Sequence, residues 1–331
     1  MNHKVAFTFI IFQLAAACLW GQQDLGSIDY SKVDQHVIKL SQTYESDIYA
    51  LVDKLAVFDE KHLNFRAAFF WVAYNIKYDC VDYHKPDKYK KDQSWRRTIA
   101  DTAGICGGYA NLLKAICDRM NIECEVVIGK VRGSWHTLAN RTGQSHAWNR
   151  VKLNEQWYLS DPTWASGYTD DRVKVYTRAF NAHYFIANPA SLVINHFPRE
   201  AKWQLLPEPK TYTQFVRSPV VRIHGEDNPI QSFHPLNGIV TLSHKQKLKF
   251  SYQLKEGQKP LWITMQVAKK SDYLKAREYN EKNSEIVKLQ LEPGEEQGEY
   301  YVNFELEEAG EYYVSFYLGQ SVVFHYYYSL R

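Results

Sequence analysis

The chain has 331 residues, 45% hydrophobic and 23% charged, with 40 Lys and Arg against 37 Asp and Glu. This is enough apolar material for a full core and enough length for two domains, which argues against a disordered chain. The net charge is +3 and the basic residues are scattered rather than striped, so composition gives no support to nucleic acid as the main partner.

Residues 1–22 read as an export signal: Lys4 supplies the positive start, and residues 5–20 are apolar and uncharged. The mature chain is expected to begin near Gln22 and to work outside the cytoplasm, periplasmic or secreted. The apolar run is short for a membrane span, and no later stretch reaches about 18 uncharged apolar residues. Ala15, Ala16, Ala17 and Cys18 resemble a lipoprotein cleavage box, which leaves a membrane tether through a lipidated Cys18 open. Beyond it lie Cys80, Cys106, Cys117 and Cys124, too few for a disulfide scaffold. Cys117 and Cys124 are left open as a pair or as two thiols. With no C-x-x-C spacing, no metal and no cofactor is expected.

From Ile28 to about Met120 the pattern is mostly helical, with Val33, Val37 and Leu40 and then residues 65–76 recurring at three- and four-residue steps. After Ile122 the pattern alternates, and residues 124–131, 147–153 and 156–160 read as strands. Residues 23–206 are thus expected as an α+β domain, helices first and sheet after. Pro207, Pro209 and Pro219 mark 207–219 as a linker. Residues 220–331 hold about eight short strand-like runs, among them 247–254, 261–268, 300–305 and 312–318, with turn signals at Pro293-Gly294 and Ala309-Gly310. That pattern predicts an all-β immunoglobulin-like sandwich domain.

The stretch GICGGYA at 104–110 sets Cys106 at the start of a helix whose apolar face is Tyr109, Leu112, Leu113, Ile116, Cys117 and Met120. A thiol in a first helical turn feels the positive end of the dipole and unpaired N–H groups, both of which favour thiolate. Gly107 and Gly108 cost the helix up to about 1 kcal/mol each relative to Ala. Clearance is a reason to accept them, since another chain can then approach the sulfur. The plainer alternative is that Cys106 is a small buried hydrophobe.

A thiolate nucleophile wants an imidazole, and the imidazole wants a third group to fix its tautomer. The segment SHAWNRVKLNEQWYLSDPTW at 145–164 offers both. If Asn154-Glu155 is the tight turn, Trp148 faces Asp161 and His146 faces Thr163, which makes Asp161 the diagonal same-face neighbour of His146. Alternatively, Asp161-Pro162 simply ends a strand. His136 is the rival imidazole, but its Gly-Ser-Trp-His surroundings read as loop. Trp135, Trp148 and Trp164 cluster around these segments and are candidate groove walls, or core.

The order Cys106, His146, Asp161, with FRAAFFWVAYNIKYD at 65–79, GICGGYANLLKAICDRMNIECEVVIGKV at 104–131 and the 145–164 segment, resembles the transglutaminase-like superfamily of papain-type thiol enzymes. Within it the segments look in particular like the branch resembling kyphoscoliosis peptidase, over roughly residues 60–170. The resemblance implies a transglutaminase-like, papain-like cysteine-protease domain and an acyl-enzyme mechanism. Cys106 would attack a carbonyl carbon, His146 would shuttle the proton, and Asp161 would orient the imidazole. The Cys106 N–H is expected to serve as an oxyanion donor. Trp95 is a candidate for the second donor on position alone, and a packing residue otherwise, while Trp71 and Tyr78 are expected to pack beneath the site.

The expected function is therefore an exported thiol enzyme acting on peptide or amide bonds of a protein or peptide substrate, a peptidase or amidase rather than a cross-linking transglutaminase. Trp148, Trp164, Trp135, Gly107 and Gly108 are the expected substrate-binding residues. The competing reading is a catalytically inactive scaffold that keeps the fold as a recognition surface.

Overall fold

The computed structural model describes residues 25–87, 92–133, 142–170, 172–222, 230–243, 246–257, 263–270, 285–288, 292–293, 299–306, 308–318 and 321–331. The export signal, Cys18, Trp135 and His136 lie outside them. No helix among the described residues is long and apolar enough to cross a membrane.

The chain opens with helices α1 (Ser31–Leu40), α2 (Ile48–Leu55) and α3 (Lys61–Asn75). The first two bury one face each, Val33 and Val37 in α1 and Ile48, Leu51, Val52 and Leu55 in α2. By contrast, α3 is buried nearly all round, from Phe65 through Ala73, as befits the central helix of a core. Its one buried cation, Arg66, reaches Asp34 of α1 with Nε at 2.8 Å and Nη2 at 2.7 Å. Rings of Tyr30, Phe180 and Phe185 surround that guanidinium, so the charge is both paired and packed.

Strand β1 (Lys77–Tyr78), helix α4 (Cys80–Tyr83), helix α5 (Trp95–Asp101) and strand β2 (Ala103–Gly104) lead into helix α6 (Cys106–Arg119). The short parallel pairing of β1 with β2 brings the chain to Gly104 at a fixed angle. The buried face of α6 includes Tyr109, Leu112, Leu113, Ile116 and Cys117, the stripe expected from spacing. Strands β3 (Cys124–Val131), β4 (Gln144–Leu153) and β5 (Gln156–Ser160) follow, close to the expected limits. Asn154 and Glu155 both take positive φ, the type I′ pattern of a two-residue hairpin. The resulting register pairs Asn149 with Ser160 and Leu153 with Gln156, as the tight turn requires.

Helix α7 (Pro162–Ser166), strands β6 (Gly167–Thr169) and β7 (Tyr176–Arg178), helix α8 (Pro189–Leu192) and strand β8 (His196–Pro198) complete this part. The sheet order is β5-β4-β3-β8, so β8 lies against β3 although the paired residues are 65 or more positions apart in sequence. Asn149 of β4 donates to the Ala110 carbonyl of α6 at 3.0 Å, tying sheet to helix close to Cys106.

The expected linker needs a correction. Helix α9 (Tyr212–Arg217) occupies its second half, opened by a capping box between Thr211 and Gln214, and buries Phe215. Arg132, fully buried at the end of β3, donates to the carbonyls of Phe215 and, at 2.8 Å, of Ser218. Three prolines mark where helix cannot run, but they did not exclude a short capped helix between them.

Ten strands follow: β9 (Val220–Val221), β10 (Ile230–His234), β11 (Ile239–Leu242), β12 (Lys247–Leu254), β13 (Ile263–Lys269), β14 (Glu285–Lys288), β15 (Glu292–Pro293), β16 (Glu299–Glu305), β17 (Gly310–Leu318) and β18 (Ser321–Leu330). One sheet runs β10-β12-β16-β15 and the other β11-β18-β17-β13-β14, with β9 added along β18. All described pairings are antiparallel except β11 with β18. Phe250 of the first sheet stacks on Phe316 of the second at 4.1 Å and meets Phe324 and Tyr326, so the two sheets share one core.

Candidate active site

Cys106 is the first residue of α6 and is buried. The preceding Ile105 is extended and offers no side-chain oxygen to cap the first N–H groups of the helix, and its carbonyl takes the Gly108 N–H at 2.9 Å. The two glycines have a different cause from the one expected. A Cβ on Gly107 would lie 1.8 Å from Gln93 Oε1, and a Cβ on Gly108 would lie 2.5 Å from Thr98 Oγ1. The clearance is therefore filled by residues 93–98 of this chain, which pack down on the start of α6. The open groove is lined by Tyr78, Tyr83, Cys106, His146 and Trp164 and by neither glycine, so Gly107 and Gly108 are corrected from substrate-binding to packing positions.

His146 stands on β4 beside Cys106, and Asp161 is the first residue beyond β5. Asp161 is 0% exposed. Its Oδ2 lies 2.6 Å from His146 Nε2 and 2.9 Å from His196 Nε2. Its Oδ1 accepts from the backbone N–H of Thr163 at 2.8 Å and of Trp164 at 3.1 Å, capping α7. The diagonal relation of His146 and Asp161 expected from the hairpin is thus present. An ionised carboxylate only accepts, so each imidazole facing Oδ2 must carry its proton on Nε2. That leaves His146 Nδ1 toward the thiol.

The electrostatics follow from burial set against pairing. Burial alone pushes the Cys106 thiol up, but the His146 imidazole, its hydrogen bond and the Ala147 N–H together hold it below its ordinary value. Burial pushes His146 down, yet Asp161 first and Cys106 second raise it well above the ordinary imidazole range. Asp161 is likewise opposed by burial, and the two histidines hold it far below the usual carboxylate range. His196 goes the other way: burial outweighs Asp161 and the Leu192 backbone and pushes it below the ordinary imidazole value. The arrangement favours a thiolate beside an imidazolium. The Tyr83 phenol, raised by burial first, also feels the charge at Cys106 and so stands close to it.

His146, Asp161 and His196 each bring one nitrogen or oxygen within 4.8 Å of the others, a spacing that also suits a metal ion. In this arrangement the two nitrogens instead converge on one oxygen at hydrogen-bond distances, the geometry of two N–H donors on one carboxylate.

The remaining expected residues divide. Trp164 lines the groove, with its ring 5.9 Å from His146 and 4.6 Å from His196. Trp148 is corrected: 1% exposed, it lies behind the imidazole with ring centroids 6.0 Å apart, a core residue that backs His146 and does not reach the groove. Trp95 packs on the helical core under the Arg119 guanidinium, in keeping with the packing alternative. Trp71 is buried in α3, and Tyr78 packs on the core while lining the groove. Cys117 and Cys124 are separate thiols. His196 was missed by sequence reading. Asn-His-Phe-Pro carries no motif, and only the pairing of β8 with the distant β3 brings it to Asp161.

Residues 59–162 match the family model of the transglutaminase-like superfamily. The chain is 30% identical over 240 residues to human kyphoscoliosis peptidase, covering 68% of this chain and 35% of that protein. The mouse protein of the same name is 29% identical over 242 residues, with the same shares. The Caenorhabditis elegans Lim and transglutaminase domain protein ltd-1 is 26% identical over 129 residues, 34% of this chain and 17% of that one. The chain thus spans about a third of the length of the two kyphoscoliosis peptidases it matches.

Proposed function

Since the chain carries a domain of the transglutaminase-like superfamily, we propose that it is a thiol enzyme of acyl transfer that hydrolyses peptide or amide bonds. The observation that carries this reading is the buried relay in which Asp161 holds the His146 Nε2–H at 2.6 Å while His146 lowers the Cys106 thiol. The thiolate attacks the carbonyl carbon, and the developing oxyanion meets the N–H groups at the uncapped start of α6. The imidazolium then gives its proton to the leaving amine. Water, deprotonated by the now neutral imidazole, resolves the acyl-enzyme.

Hydrolysis rather than cross-linking is favoured by an open groove that admits water to Cys106 and His146, and by the relatives named peptidases. The apolar segment at residues 5–20 supports action after export. The strands from β10 onward we read as an immunoglobulin-type sandwich, on the ground that their two sheets follow the A-B-E-D and G-F-C order of that fold.

The test is incubation with a mixed peptide library, with and without an added primary amine, read by mass spectrometry. New peptide termini or released ammonia that vanish in Cys106→Ala support hydrolysis. Amine-linked products in excess of hydrolysis would replace it with transamidation, and no Cys106-dependent product would contradict an enzyme.

A further inference from the structure

His196 is fully buried and stands on β8, which is held from two sides. Val131 of β3 pairs with it in register. The preceding Asn195 accepts from the Arg132 N–H at 2.9 Å and donates through Nδ2 to the Val221 carbonyl at 2.7 Å, the strand that joins the second sheet unit. The ring is enclosed by Trp164, Trp148 and Tyr184 at 4.6, 5.2 and 6.0 Å. Asp161 and His146 are the titratable groups that face it, with His183 and the Tyr184 phenol further out. A histidine fixed this tightly, with its donor aimed at a carboxylate oxygen, can do more than fill space. Asp161 Oδ1 is held by two backbone N–H groups, while Oδ2 accepts from the two imidazoles, of which His146 changes charge in each cycle.

We propose that His196 is a positioning residue of this site: its Nε2–H, donated to Asp161 Oδ2 beside that of His146, holds the carboxylate ionised and in place so that the imidazole can be kept as imidazolium against Cys106. The proposal deepens the catalytic reading above and rests on its thiolate–imidazolium pair, not on its substrate class. It also gives the second sheet unit a part in the site, through Val221, Asn195 and His196.

The test separates the donor from the ring. His196→Phe keeps an aromatic body in the aromatic nest and removes the donor. His196→Gln keeps an N–H at a similar reach and removes the ring. Alkylation of Cys106 by iodoacetamide is followed by mass spectrometry from pH 5 to 9.5. In His196→Phe, labelling at pH 6 should fall by about tenfold or more, one pKa unit of the pair, while labelling at pH 9.5 stays at the wild-type rate because the sulfur is equally accessible. His196→Gln should keep most of the low-pH rate. Wild-type behaviour in His196→Phe, or equal losses in both variants, overturns the proposal.

A second measurement needs no variant to fold and no active thiol. In wild-type protein carrying 15N-histidine, His196 should show a protonated Nε2 and a bare Nδ1 between pH 5 and 8. A bare Nε2 would overturn the proposal even if Cys106 proved reactive. Slow wild-type labelling at pH 6 would sink the thiolate–imidazolium pair and the proposed role with it, and the expected His196 tautomer would then establish only the hydrogen bond to Asp161.

Discussion

Asp161 joins two tasks in one side chain: Oδ2 takes the His146 Nε2–H at 2.6 Å, while Oδ1 caps the helix that begins at the next residue. The residue that orients the imidazole is thereby held by the backbone of α7 rather than by a flexible side chain, and the coupling separates two substitutions. Asp161→Asn can keep the capping oxygen but turns an N–H toward two imidazoles that already carry Nε2 protons, forcing the wrong tautomer. Hydrolysis should fall roughly 10²- to 10⁴-fold with little loss of stability. Asp161→Ala should lose the same activity and, in addition, about 1 kcal/mol for the cap. Thermal melts alongside product assays check both; equal melting losses in the two variants would deny the capping role.

The two glycines of the nucleophile turn should respond differently to alanine. At Gly107 the obstructing atom is the far end of the flexible Gln93 side chain, which can swing aside. Gly107→Ala should therefore be nearly neutral, since the gain in helix propensity of up to about 1 kcal/mol offsets the adjustment. At Gly108 the obstruction is Thr98, buried, β-branched and bonded through its hydroxyl to the Ser94 carbonyl at 3.0 Å. Gly108→Ala should destabilise by about 1–3 kcal/mol. Urea denaturation of the two variants gives the comparison, and a reversed order would mean that another contact decides this turn.

The local features of the site were legible because short-range geometry dictates them. The Asn154-Glu155 turn fixes the hairpin register, and the register fixes which face His146 and Asp161 share. The helix stripe from Tyr109 to Cys117 likewise fixes which way Cys106 lies. What stayed hidden depends on long-range pairing. His196 reaches Asp161 only because β8 joins β3, and nothing in its own neighbourhood distinguishes it from the chain's other histidines. Trp148 was misjudged because alternation puts it on the same face as His146 without saying that this stretch of the face is covered. The glycines were read for the right property, clearance, and the wrong occupant, since Gln93 and Thr98 arrive from a segment whose packing no spacing rule predicts. The 207–219 stretch reads as linker by its prolines, while the capping box that nucleates α9 is written in Thr211 and Gln214.

Stability should carry a signature of the Asp161–His146 pair that depends on pH with a definite sign. In a Cys106→Ala background, Asp161 still raises the His146 imidazole above its unfolded value of about 6.5. The pair's contribution should therefore be full below about pH 6.5 and fade as pH rises toward the folded value of His146. The difference in melting temperature between Cys106→Ala and Cys106→Ala/His146→Gln should shrink across that window. A difference that grows with pH would mean that His146 is neutral in the folded protein.

The central claim is that Cys106 is held as a thiolate by His146, and it is tested most directly by the pH dependence of Cys106 alkylation by iodoacetamide in wild type and in His146→Ala, read by mass spectrometry. Rapid labelling at pH 6 in wild type, lost in the variant, is the result expected from a lowered thiol beside a raised imidazole. Slow labelling that rises only above pH 8, equally in both proteins, would show an unactivated thiol and contradict it.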